Sequence, residues 1–116
     1  MVIVVSEPRN GIVVIKFSGR LEFDPTLYTL RPKIRGLLES GIRAIIFDLG
    51  EVPHADSSGC GEMIGAYTTI RKAEAAVAFV SLTPKVRLLW ERINVTRIFD
   101  IFDTVEEAEN FLKTRR

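Results

Sequence analysis

The chain holds one cysteine, Cys60, and one histidine, His54. A single thiol allows no internal disulfide and no Cys-based zinc site, so no metal is expected. A single imidazole leaves a Ser-His-Asp triad with one candidate base, four positions before Ser58 and reading as an end-of-strand residue. Charge of either sign is not in excess: 16 basic and 15 acidic side chains give a formal net charge of +1. Nucleic-acid and membrane-surface proteins usually carry a marked basic excess, so neither partner is expected. No apolar run approaches the roughly 18–20 residues of a membrane span. Met-Val-Ile-Val-Val at the start is too short for the apolar region of a signal peptide. The sequence therefore reads as soluble and cytoplasmic, which suits one reduced cysteine.

What is present is an ordinary globular composition. At 116 residues with 47% apolar and 27% charged side chains, the chain can bury one core and is not of disordered type. No repeat, low-complexity tract or linker divides it, so residues 1–116 are taken as one domain.

Val2–Val5 and Ile12–Phe17 are β-branched runs joined by the turn signal "PRNG", which reads as a hairpin or a near neighbour pair. Leu27, Leu30, Ile34, Leu37 and Leu38 recur at helical spacing, but Pro32 lies inside the pattern and removes a backbone donor. A helical turn near 25–30, followed by a main helix from about Arg31 to Glu39, accommodates it. Ala44–Leu49 has the unbroken apolar look of a central strand. Cys60, Met63, Ile64, Tyr67 and Ile70 form the next helical stripe. Ala76–Val80 is a second buried strand. Thr83-Pro84 has the form of a cap with proline at the first helical position, ahead of the stripe Val86, Leu89, Trp90 and Ile93. Trp90 is expected in the core. Ile98-Phe99 is a short strand candidate, and Thr104–Glu107 is a capping box opening a terminal helix. The order β-β-α-β-α-β-α-(β)-α predicts an α/β fold: a mixed four- to five-stranded sheet with about four α-helices packed on it.

The stretch with chemical content is "HADSSGCGEMIGAY", residues 54–67. It stands where a strand hands over to a helix, the place where sites collect in open α/β sheets. It does not match the G-x-S-x-G nucleophile elbow, and no second acid/base pair supports His54. No Gly-Lys pair follows Gly59 or Gly61, so no Walker loop is present, and no nucleotide or other cofactor is implied. No catalytic set is written in the chain. Two readings stay open for the serines. Ser57 or Ser58 can simply cap the helix, worth about 1 kcal/mol. Alternatively, a serine here can carry phosphate, because free amides and the helix dipole accommodate the charge. A phosphate near Asp56 and Glu22 would change the character of a binding surface while leaving the fold intact.

Over nearly its whole length the chain resembles a STAS domain of the bacterial anti-sigma-factor antagonist type. "GRLEFDPTLYTLRPKI" is similar to the family's Gly-x-Leu-Asp turn and first helix. "GIRAIIFDLGEVPHADSSGCGEMI" is similar to its central strand and Asp-Ser-Ser-Gly-Leu-Gly motif, and "VAFVSLTPKVRLLWERINVTRIFDIFDTVEEA" to its closing elements. The resemblance implies a non-catalytic module that, unphosphorylated, binds an anti-sigma factor with serine kinase activity. The kinase modifies the serine before the motif glycine, here Ser58, and a serine phosphatase resets it. It also implies a partner-binding surface of Glu22, Asp24, Asp56, Ser57, Ser58, Gly59 and Cys60. The chain departs from the family pattern with Glu22 where aspartate is usual, Cys60 for leucine, an unusual His54, and Pro32 within the first helix. A second expectation of the same resemblance is a non-switching STAS subunit of a stress-signalling or lipid-transport complex.

Overall fold

Five strands lie side by side in chain order, β1-β2-β3-β4-β5, in a computed structural model that describes residues 1–115. They are β1 (Val2–Val5), β2 (Ile12–Ser18), β3 (Ala44–Glu51), β4 (Ala76–Val80) and β5 (Ile101–Phe102). The helices are α1 (Leu30–Glu39), α2 (Ser57–Lys72), α3 (Pro84–Arg92) and α4 (Val105–Arg115). Short 3-10 turns at Leu27–Thr29 and Val95–Arg97 precede α1 and β5. β1 pairs antiparallel with β2, and every later pairing is parallel. The expected mixed sheet and four helices are therefore present in one domain.

Local chemistry accounts for the joints. Asn10 and Gly11 both take positive φ, 55° and 76°, and Arg9 and Ile12 exchange two backbone bonds across them. That is the two-residue turn whose twist matches paired strands. Pro32 is the third residue of α1, inside the first turn, where backbone amides have no intrahelical partner to lose. The 3-10 turn at Leu27–Thr29 is the separate helical turn expected near 25–30.

β3 runs buried from Ala44 to Phe47 because helices cover both sheet faces. On one face α1, α2 and α3 enclose Ile15, Phe17, Phe47, Phe79, Trp90 and Phe99. On the other, Ile12, Ala44, Ile46, Ala78 and Val80 pack against Ala108 and Leu112 of α4. Rings form a continuous path through the first core, with Phe47–Phe79 centroids 5.1 Å apart and Phe79–Phe99 stacked at 4.2 Å. Trp90 is fully buried, as expected.

Three local expectations are corrected. Ile98-Phe99 is not a strand: the turn at Val95–Arg97 takes both residues in, with Ile98 and Phe99 amides bonded to the Val95 carbonyl. Phe99 joins the aromatic core and the strand begins at Ile101. Ile64, counted in the stripe of α2, is on its outer side and exposed; Ala66 occupies the inward position instead. Thr83 does precede α3 with Pro84 at the first turn, but its hydroxyl does not cap. It donates to the Val52 carbonyl at 2.6 Å, tying α3 to the end of β3.

Candidate partner-binding site at the head of helix α2

The loop from β3 to α2 is held from the side by residues 19–22. The Leu21 amide donates to the His54 carbonyl at 2.8 Å, and the Asp56 amide donates to the Leu21 carbonyl at 3.1 Å. Leu21 and Ala55 thus form a one-residue parallel bridge. This stitch brings Glu22 to the motif: its Oε1 accepts from Arg20 Nε at 2.6 Å and lies 3.9 Å from His54 Nε2. Gly59 is required by the same stitch, since a Cβ there would lie 2.0 Å from the Leu21 carbonyl oxygen.

The cap of α2 is Asp56, not a serine. Its backbone is extended (φ −109°, ψ 179°) and its carboxylate accepts the Gly59 amide at 2.8 Å. The expectation that Ser57 or Ser58 caps the helix is therefore overturned, because a carboxylate one residue earlier already meets the free amide. Ser57 and Ser58 are the first two helical residues and both are exposed. Among the described residues the Ser58 hydroxyl has no hydrogen-bond partner.

Ser58 lines a shallow depression with Phe23, Asp24, Leu27, Tyr28 and Glu62. Asp24 is fixed by accepting the Thr26 amide at 2.7 Å. That bond is the main reason its carboxyl is held below the ordinary range. Glu62, one turn after Ser58, is 3.7 Å from Arg31 Nε, and the Arg31 guanidinium crosses α2 over Gly65. Phe23 and Tyr28 are 70% and 54% exposed, rings edge to face at 5.3 Å.

Of the seven residues named from the sequence, Asp24 and Ser58 line one depression, Asp56 and Ser57 adjoin Ser58 in the chain, and Glu22 lies beside His54. Gly59 and Cys60 are placed inside instead. Gly59 is against Leu21, and Cys60 accepts the Trp90 indole N–H at 2.9 Å within the core. Phe23 and Tyr28 lie outside that set, although two aromatics five apart in "EFDPTLYT", on either side of the buried Leu27, are a readable signal. Among the described residues no group of three His, Cys, Asp or Glu side chains is placed to hold a metal, and no helix is long and apolar enough to cross a membrane.

The family model of the STAS domain matches residues 4–108. The chain belongs to the STAS domain family. It is 23% identical over 102 residues, covering 88% of this chain and 87% of the relative, to an anti-sigma F factor antagonist of Paenibacillus polymyxa. The anti-sigma factor antagonist SpoIIAA in its unphosphorylated form superposes with TM-score 0.81 at 22% identity, covering 97% of each chain. An anti-sigma factor antagonist from Mycobacterium paratuberculosis gives TM-score 0.80 at 22% identity, covering 97% of this chain and 93% of that one. In this STAS domain the exposed serine, its acidic neighbours and the aromatic pair all stand at the C-terminal end of β3.

Proposed function

We propose that this STAS domain is an anti-sigma-factor antagonist switched at Ser58. Unphosphorylated, it docks on an anti-sigma factor with serine kinase activity through the surface of Glu22, Asp24, Asp56, Ser57 and Ser58, flanked by Phe23 and Tyr28. The kinase then transfers the terminal phosphoryl group of a nucleoside triphosphate to Ser58 Oγ; the diphosphate leaves with the hydroxyl proton lost to solvent. A serine phosphatase hydrolyses the ester and restores docking. The domain itself performs no catalysis in this scheme.

One observation carries the reading: the Ser58 hydroxyl is exposed and unbonded while Asp56 caps the helix. A phosphate there changes the surface without removing any bond that holds α2. It adds about −1.5 to −2 charge in a depression that Asp24 and Glu62 already line. The free helix amides accommodate that charge within the domain, whereas a docked partner would have to desolvate it. Exposed aromatics of the Phe23–Tyr28 kind are the usual anchors of an interface.

The test is peptide mapping of protein recovered from its native cells, growing and stressed, together with co-purification by wild type, Ser58→Ala and Ser58→Asp. Condition-dependent phosphate on Ser58, with Ser58→Asp folded but unable to retain a kinase-like partner, is the expected result. No phosphate under any condition, and full retention by Ser58→Asp, would replace the switch with a constitutive subunit of a stress-signalling or lipid-transport assembly.

A further inference from the structure

At the opposite end of α2 from Ser58, roughly 20 Å along a helix rising about 1.5 Å per residue, lies a cleft of about 480 Å³. It opens where β4 has no outer neighbour. β5 pairs only with Phe79 and Val80, so the sheet edge from Ala76 to Ala78 is left without a strand. The Ala76 amide donates inward to the Arg43 carbonyl at 2.8 Å, and the Phe79 amide donates outward to Asp100 at 2.9 Å. Backbone donors alternate along a strand, so the Val77 N–H points outward, into the cleft. Val77 is buried, and its amide has no partner among the described residues. The donor faces the open cleft, where water or a ligand can take it.

Two guanidinium groups stand over the same space. Arg43 Nη1 donates to the Leu38 and Ile42 carbonyls at 3.0 Å, and Arg71 Nη1 donates to the Ala75 carbonyl at 3.1 Å. These bonds fix each group while leaving its other nitrogens unused. Neither arginine is in an ion pair among the described residues. Tyr67, Phe111 and Leu112 supply an apolar wall. Two guanidinium groups and an outward amide lining one cleft supply donors of the kind that recognise a carboxylate.

We propose that this cleft binds a small monocarboxylate with an apolar body. The carboxylate takes the Arg43 and Arg71 forks and the Val77 amide, and the apolar part lies against Tyr67, Phe111 and Leu112. Glu74 and Asp100 also line the cleft. With Arg43 and Arg71 they leave the lining balanced in charge, so the preference for a carboxylate with an apolar body over phosphate comes from the apolar wall, which phosphate cannot use. The site shares no residue with the Ser58 surface, so it stands or falls independently of the switch.

Amide NMR spectra of the full chain, titrated with 4-phenylbutyrate, 4-phenylbutanol and inorganic phosphate, test the proposal. 4-Phenylbutyrate is expected to shift the Val77, Arg71 and Asp100 amides saturably, with the alcohol and phosphate at least tenfold weaker. Arg71→Gln and Arg43→Gln should each weaken the carboxylate about tenfold with Trp90 fluorescence unchanged. Should either variant fail to fold, the wild-type ranking of the three probes still decides. Equal binding of the alcohol, tighter binding of phosphate, or no saturable shift at Val77 overturns the proposal.

Discussion

The Leu21 carbonyl oxygen occupies the space that a side chain on Gly59 would need, 2.0 Å from the position of its Cβ. The obstacle is backbone, and it is held by the Asp56 amide, so it cannot swing away as a flexible side chain could. Gly59→Ala should therefore destabilise the domain by about 1–3 kcal/mol, the range for overpacking a filled site. Urea unfolding followed by Trp90 fluorescence measures it. The same variant should push Glu22 away from His54 by breaking the stitch that joins them.

Asp56 and Ser58 divide two tasks that a single capping serine would combine. Asp56→Ala removes the acceptor of the Gly59 amide and should cost about 1 kcal/mol. For a domain near this size that lowers the melting temperature by about 4 °C. Ser58→Ala should stay within about 0.5 kcal/mol of wild type. If the two losses were reversed, the serine would be the cap.

The Cys60 thiol is predicted to be inert in the native state. Burial pushes its pKa above the ordinary value of about 9, and the Asp56 carboxylate adds to the rise, while the Trp90 bond opposes both. Labelling by a thiol-specific disulfide reagent should follow global unfolding. The sign of the linkage is fixed: the unfolded thiol ionises first, so this contribution is complete below about pH 9 and is lost as pH rises through the native value. Cys60→Ser keeps an acceptor for the indole, whereas Cys60→Ala strands a buried donor at about 1–3 kcal/mol. Melting curves of both variants, and of wild type from pH 7 to 10, provide the check.

Phe23 and Tyr28 hold each other edge to face with most of their area in solvent. Phe23→Ala and Tyr28→Ala should leave the melting temperature nearly unchanged. Under the antagonist reading each should weaken partner binding about tenfold or more, as anchors of an interface do. Co-purification yield or titration calorimetry with the captured partner measures that loss.

Most of the frame was legible because the local signals agreed with the tertiary outcome. The Asn10-Gly11 turn, the helical turn ahead of Pro32 and the Thr104 capping box each rest on a few neighbouring residues. In the last, the Glu107 amide meets Thr104 Oγ1 at 3.1 Å. The errors fall where neighbours compete. Asp56, Ser57 and Ser58 are all capable caps in consecutive positions, and only the Leu21 contact settles the register. Ile98-Phe99 and Ile101-Phe102 are equally strand-like pairs on either side of Asp100. The 3-10 turn, opened by Asn94 at φ 62°, draws the first pair into the core and leaves the second for the sheet. Cys60 looked available from its place in the motif, but helix phase sends it inward to Trp90. The pairing of Arg43 with Arg71 across a cleft had no signal, since the residues are distant in sequence.

Because the strands stand in the sheet in the order of the chain, assembly never requires a late strand to be inserted between two already joined. Each parallel strand can be added at the growing margin as it leaves the ribosome, and each closes a loop onto the strand just laid down. A nascent chain halted after β3 would present that strand, apolar on both faces, as a raw margin. The interval before β4 emerges is thus the stage of synthesis most exposed to mispairing between neighbouring chains.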